Sequence, residues 1–225
     1  MNKEWAELNK TLQCQLRKEV TFADGMQTIL RLRRELFDVL CQLKTELTRD
    51  EFNDSPFLNA VGYHSKTIAY TIWHIFRIED IVAHTLISHN EQIFVSGNFA
   101  YRINSPIITT GNELDNKQVA EFSKALDLDE LYHYATAVKD STNEILGNLT
   151  FADLKRKISN IEKEKLKQLN VVSADEKACW LIDYWCGKDI RGLIQMPITR
   201  HWIMHIEACL RIRNKILRKN DCNQK

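Results

Sequence analysis

His201 and His205 stand four residues apart in the string MPITRHWIMHIEACLRIRNKI, residues 196–216. Four residues turn an α-helix by about 400°, so the two imidazoles fall within about 40° of each other, one turn apart. Two imidazoles stacked this way can reach one metal ion, which is why H-x-x-x-H recurs in metal sites. The same spacing also occurs on helix surfaces with no ligand role, so the neighbourhood decides. Ile198, Trp202, Leu210, Ile212 and Ile216 mark a well-buried helix, and Ala208 and Ile212 share the stripe of His205. Buried imidazoles need partners for their ring nitrogens, and one shared metal satisfies two such groups together.

A third ligand is then needed, and His74 is the best placed. It sits within TIWHIFRIED, flanked by Trp73, Ile75 and Phe76. A lone histidine on such a helix is usually a hydrogen-bonded core residue, and its weight here comes from pairing with His201 and His205. His84 lies about 80° around the same helix from His74, a poorer fit. His64 precedes the helix and His89 ends it, so both are expected at the surface. His133 belongs to a single E-x-x-H string with Glu130, where a di-iron bundle needs two such strings and two further glutamates. There is no H-E-x-x-H, C-x-x-C-H, Walker A, G-x-G-x-x-G or G-x-S-x-G.

The elements that must carry these histidines read as helices. Seven glycines and three prolines in 225 residues leave long uninterrupted stretches. Helical periodicity runs from Phe22 to Leu47 through Met26, Ile29, Leu32, Leu36, Leu40 and Leu43. A second helix, with Ser65 as N-cap, reaches about Ser88 and is too apolar to be a one-sided surface helix. Asn90 to Leu126 reads mostly as loop with a short helix over Lys117–Leu126, and a loop of that length often lies over a functional site. A third long helix runs from Asp127 or Leu128 to Leu146, stopped by Gly147. Thr150 to Lys167 reads as one or two exposed charged helices. Ser173 to Glu176 has capping-box spacing and opens a helix through Trp185. Pro197 suits the first turn of a last helix over Ile198–Arg218. The expectation is an all-α chain, an antiparallel bundle with one connected core and no domain boundary across residues 1–225.

Composition bounds the class. Hydrophobic residues make up 44% and charged residues 27%, with a formal net charge of +1. That balance argues for neither nucleic acid nor an anionic membrane as partner, and basic strings such as Arg31 to Arg34 read as solvated helix faces. The start MNKEWAELNK has no apolar segment of the signal-peptide kind, and no apolar run spans a bilayer, so a cytoplasmic protein is expected. The six cysteines form no C-x-x-C pair and read as buried apolar side chains or free thiols.

One histidine in an early apolar helix, followed far downstream by H-x-x-x-H in the last helix, resembles the DinB/YfiT-like family. The carrying residues are Trp73, His74 and Ile75 with Glu79 downstream, and His201 to His205; the resemblance spans about 22–218. It implies a four-helix bundle in which His74, His201 and His205 bind a divalent metal (Zn, Ni, Fe or Mn), leaving positions open for water or substrate. Family members include S-transferases using low-molecular-weight thiols such as bacillithiol or mycothiol, and maleylpyruvate isomerase-like enzymes; homodimers are common among them. Many members follow the second histidine of the motif with an Arg-Gly-Gln-like string, where this chain has Ile206, Glu207 and Ala208. The resemblance therefore implies a metal-dependent thiol S-transferase acting on a small-molecule substrate. A hydrolase using activated water and a non-catalytic metal- or ligand-binding bundle stand as alternatives. Glu79 and Glu207 are candidates for a supporting carboxylate or base, though neither lies clearly on the metal-facing stripe.

Overall fold

A computed structural model of the chain describes residues 2–57 and 65–223. Those residues form helices and turns, with one isolated bridge between Lys157 and Asp189 in place of any strand. His64 lies outside the described residues.

Helix α1 (Lys3–Gln15) starts on Asn2, whose side chain accepts from Glu4 N at 2.9 Å. Helix α2 (Phe22–Glu46) buries the stripe Met26, Ile29, Leu32, Leu36, Leu40 and Leu43 that its periodicity marks. Helix α3 (Ile68–Asp80) passes into a π-helical stretch, Ile81–Ser88, that ends on His89 in the left-handed region. Every residue of α3 is buried, as expected of a central element. Its N-cap is Thr67, not Ser65: the Thr67 hydroxyl accepts from Tyr70 N at 3.1 Å. A capping side chain acts only from the position next to the first helical residue, and Ser65 sits two residues too early.

The segment after residue 90 holds two single turns, α4 (Ile93–Ser96) and α5 (Phe99–Arg102), then a loop, then α6 (Asn116–Ala125). Helix α7 (Leu128–Gly147) is capped by Asp127, which accepts from Glu130 N at 3.0 Å. Helix α8 (Asn160–Gln168) has a capping box from Ser159 and Glu162.

Two of the expected helix starts are displaced. Helix α9 (Trp180–Cys186) does not open at Ser173. The Ser173 hydroxyl accepts from Asp175 N at 3.2 Å and Asp175 Oδ1 accepts from Lys177 N at 2.8 Å, so these short side chains build a turn first. After α10 (Ile190–Gln195), Pro197 lies in the connecting turn, and α11 begins at Arg200 and continues to Asn223, beyond Arg218. Of the cysteines only Cys209 is buried; all six are free thiols.

The long helices pack on one another: α3 against α7 and α11, α2 against α11 and α7, and α1 along α2. The core forms two apolar clusters. One gathers about Leu36, Trp73, Phe76, Tyr134 and Trp202; the other about Leu16, Ile81, Leu146, Trp185 and Ile194. Among the described residues no helix is long and apolar enough to cross a membrane.

A buried ion pair ties the long helices together. Arg33 on α2 donates to both oxygens of Glu79 on α3, at 2.7 Å each, and both side chains are fully buried. Arg33 Nε donates to Asn143 Oδ1 on α7 at 2.7 Å, its Nη1 donates to Ile198 O at 3.2 Å, and its guanidinium lies 4.6 Å over the Trp202 ring of α11. A bidentate, fully hydrogen-bonded pair offsets the desolvation that burying two charges costs. Removing one partner strands the other. Glu79→Ala is expected to lose roughly 3–5 kcal/mol in urea unfolding, and Arg33→Met combined with Glu79→Leu to lose less than the sum of the single changes.

Candidate metal centre

The structure brings His74, His201 and His205 together. One ring nitrogen from each lies within 4.8 Å of the others, and all three side chains are buried. Ring centroids are 5.2 Å apart for His74 and His201, 4.9 Å for His74 and His205, and 4.4 Å for His201 and His205. Helix α11 supplies two of them through the one-turn spacing, and α3 supplies the third.

His74 is oriented from two sides. Tyr70, one turn earlier, stacks on it at 5.5 Å with 16° between the rings. Its Nδ1 lies 2.7 Å from the carbonyl of Thr110, in the loop before α6. A carbonyl only accepts, so Nδ1 carries the proton and Nε2 keeps its lone pair for a ligand role. Gly111 lets that loop lie close: its φ is +74°, and a Cβ there would come within 3.0 Å of Tyr70 and 3.1 Å of Trp73. Tyr70 closes the contact by donating to Gly111 O at 2.9 Å.

All three imidazoles are neutral donors. Burial pushes the His74 pKa down from 6.5 to about 4, with the Lys66 charge adding to it against the Thr110 hydrogen bond. Burial, then the neighbouring histidines, holds His201 and His205 well below the ordinary value. His201 Nδ1 is buried with no hydrogen-bond partner among the described residues. A buried, unpartnered imidazole nitrogen beside two further imidazoles suits a shared cation. Zinc–nitrogen distances of about 2.1 Å put such nitrogens roughly 3.4 Å apart around a tetrahedral ion. A metal site is thus compatible with the residues present.

The histidines line a cavity of about 1020 Å³, at the upper end of ligand-pocket sizes. Its walls come from α3, the loop before α6, α9 and the turn before α11, so the long segment after Asn90 does lie over the site. Asn112, Leu114, Asp115, Asn116 and Lys117 all belong to that wall.

The other described histidines are occupied elsewhere. His84 sits between Asp80 Oδ1, 2.9 Å from its Nδ1, and Ser141 Oγ, 2.8 Å from its Nε2. His89 is half exposed, 3.5 Å from Glu162, and His133 is exposed beside Glu130. Neither candidate carboxylate belongs to the centre. Glu79 is committed to Arg33, and Glu207 bonds the backbone N–H of Asn2 and lies 3.8 Å from Arg211. Sequence reasoning missed Thr110 and Tyr70. Tyr70 lies one turn before His74 and could have been found by that spacing; a backbone carbonyl leaves no residue-type signal.

No protein-family model matches the chain, and no curated protein matches it in sequence.

Two outcomes test the centre. Metal-loaded protein is expected to hold close to one ion per chain by mass spectrometry, and His74→Ala and His201→Ala to lose it. Gly111→Ala, which displaces the Thr110 carbonyl, is expected to weaken metal affinity roughly 10–100-fold while the helical circular dichroism is kept. The pH dependence has a fixed sign. Between pH 6.5 and about 4 the unfolded chain binds protons that folded His74 refuses. In chelator, stability is therefore full above pH 6.5 and falls as pH drops towards 4, by about 3 kcal/mol from His74 alone. Urea midpoints across that range should show the slope, and His74→Gln should flatten part of it.

Proposed function

We propose that the chain is a divalent-metal-dependent enzyme of the DinB/YfiT-like kind, a low-molecular-weight-thiol S-transferase with His74, His201 and His205 as its metal ligands. The packing of α2, α3, α7 and α11 on one another supports the four-helix-bundle part of this reading. The observation that carries it is the convergence of three buried, neutral imidazoles on the wall of a large cavity. Among the described residues that group has three members, and a structural zinc site normally closes with four protein ligands. An open position leaves room for a small molecule.

A divalent ion such as Zn, Ni, Fe or Mn would supply Lewis acidity there, lowering the pKa of a thiol or water that reached it. The cavity walls favour the thiol. Asp115 is the one carboxylate among the described lining residues, and its side chain already caps α6 by accepting from Gln118 N at 2.9 Å. Water activation gains from a free carboxylate base, whereas a thiol ionises near pH 8.5 and needs less help. None of the described lining residues is a cysteine, so the thiol would arrive as a small molecule.

Cobalt-loaded protein titrated with cysteine, bacillithiol or mycothiol is expected to develop a thiolate-to-cobalt charge-transfer band that His201→Ala abolishes. No band with any thiol, together with turnover of an ester or amide panel, would replace the transferase reading with a hydrolase.

A further inference from the structure

The cavity carries charge that the metal centre does not use. Lys66, just before the Thr67 cap of α3, and Lys177, in the turn before α9, both line it. Lys66 is half-buried, donates to Leu114 O at 3.3 Å and lies 5.2 Å over the Tyr70 ring. Burial lowers its proton affinity, and the charge of Lys177 lowers it further against the opposing pull of Asp115. Among the described residues neither lysine forms an ion pair, while Asp183 of α9 is paired with Lys163 and Asp115 caps α6. Two ammonium groups lining one cavity repel each other, and a bound anion offsets both that repulsion and the loss of water.

The rim beside Lys177 is aromatic. Trp180 and Tyr184 meet edge to face at 5.6 Å and remain 49% and 38% exposed. Both line the cavity, with Leu181 and Trp185 continuing the apolar wall inward. Lys188 Nζ lies 4.0 Å over one face of Tyr184, and the exposed aromatic surface that remains beside the cavity offers a flat apolar contact.

We propose that this cavity takes a substrate with an anionic group, a carboxylate or phosphate, held by Lys66 and Lys177, and a flat apolar body against Trp180 and Tyr184. That its reactive end points towards His74, His201 and His205 rests on the metal-dependent reading above; the anion subsite itself does not.

The test uses the full chain, metal-loaded and chelated, in calorimetric titrations with 3-phenylpropionate, phenyl phosphate and the neutral 3-phenylpropionamide. One or both anions are expected to bind about tenfold more tightly than the amide. The ranking of the two anions then distinguishes carboxylate from phosphate. Lys66→Gln with Lys177→Gln should remove the preference while metal content is unchanged, and Trp180→Ala should weaken acid and amide alike. Equal binding of both anions and the amide, no binding of any of the three, or a preference that survives in the lysine variant would overturn the subsite. A preference that disappears on chelation and persists without the lysines would place the anion on the metal, which also overturns it. A lysine-dependent preference in protein that binds no metal would keep the subsite and defeat only the metal reading.

Discussion

The fold turns on the pair formed by Arg33 and Glu79. Two full charges sit at zero exposure among long helices, and every strong donor of the guanidinium faces an acceptor from α3, α7 or the turn before α11. Such a pair is satisfied in one arrangement of the helices and badly unsatisfied in others, because a buried charge has no water to fall back on. It also sits beside the three-histidine cluster through its neighbours. Arg33 covers the Trp202 ring, and Trp202 follows His201 directly; Glu79 lies five residues after His74 on α3. Five residues turn a helix by about 140°, so α3 shows the ion pair to one side and the histidine to nearly the other. A helix used on both sides is buried all round, which α3 is.

The loop between α5 and α6 does for His74 what the ion pair does for the helices. Its Thr110 carbonyl sets which nitrogen of His74 carries the proton, and Gly111 allows the approach that makes this bond possible. The left-handed φ and the lack of room for a Cβ against Tyr70 and Trp73 act together, so the local chain and the packed ring wall demand the same residue. The imidazole is held by its stacking partner and its carbonyl, and needs no carboxylate behind it.

The electrostatics of the cavity are one-sided. Burial keeps the three imidazoles neutral, while Lys66 and Lys177 line the same cavity, with Asp115 as the single lining carboxylate among the described residues. A cation among neutral imidazoles would raise that positive potential further, and low-dielectric walls concentrate it. Anionic ligands, thiolates among them, are the species such a site stabilises.

Whatever repeats along one helix was already legible in the chain. The apolar spacing placed α2, α3 with its continuation to Ser88, α7 and α11 within a few residues, and the one-turn spacing of His201 and His205 put them on one buried face. Pairing them with His74 was legible because histidine at the centre of an apolar helix is chemically conspicuous. Local competition between turn and helix was less legible: Ser173 and Asp175 have helix-opening side chains but spend them on a turn, and Thr67 rather than Ser65 takes the cap. Long-range packing alone settles that Glu79 belongs to Arg33 and not to the candidate metal centre, that Thr110 offers its carbonyl to His74, and that Lys66 and Lys177 line one cavity. Those partners are 46, 36 and 111 residues apart. Periodicity records which face of a helix turns inward; which group meets it there is set by how distant helices and loops pack, and a backbone carbonyl or an ammonium leaves no periodic trace.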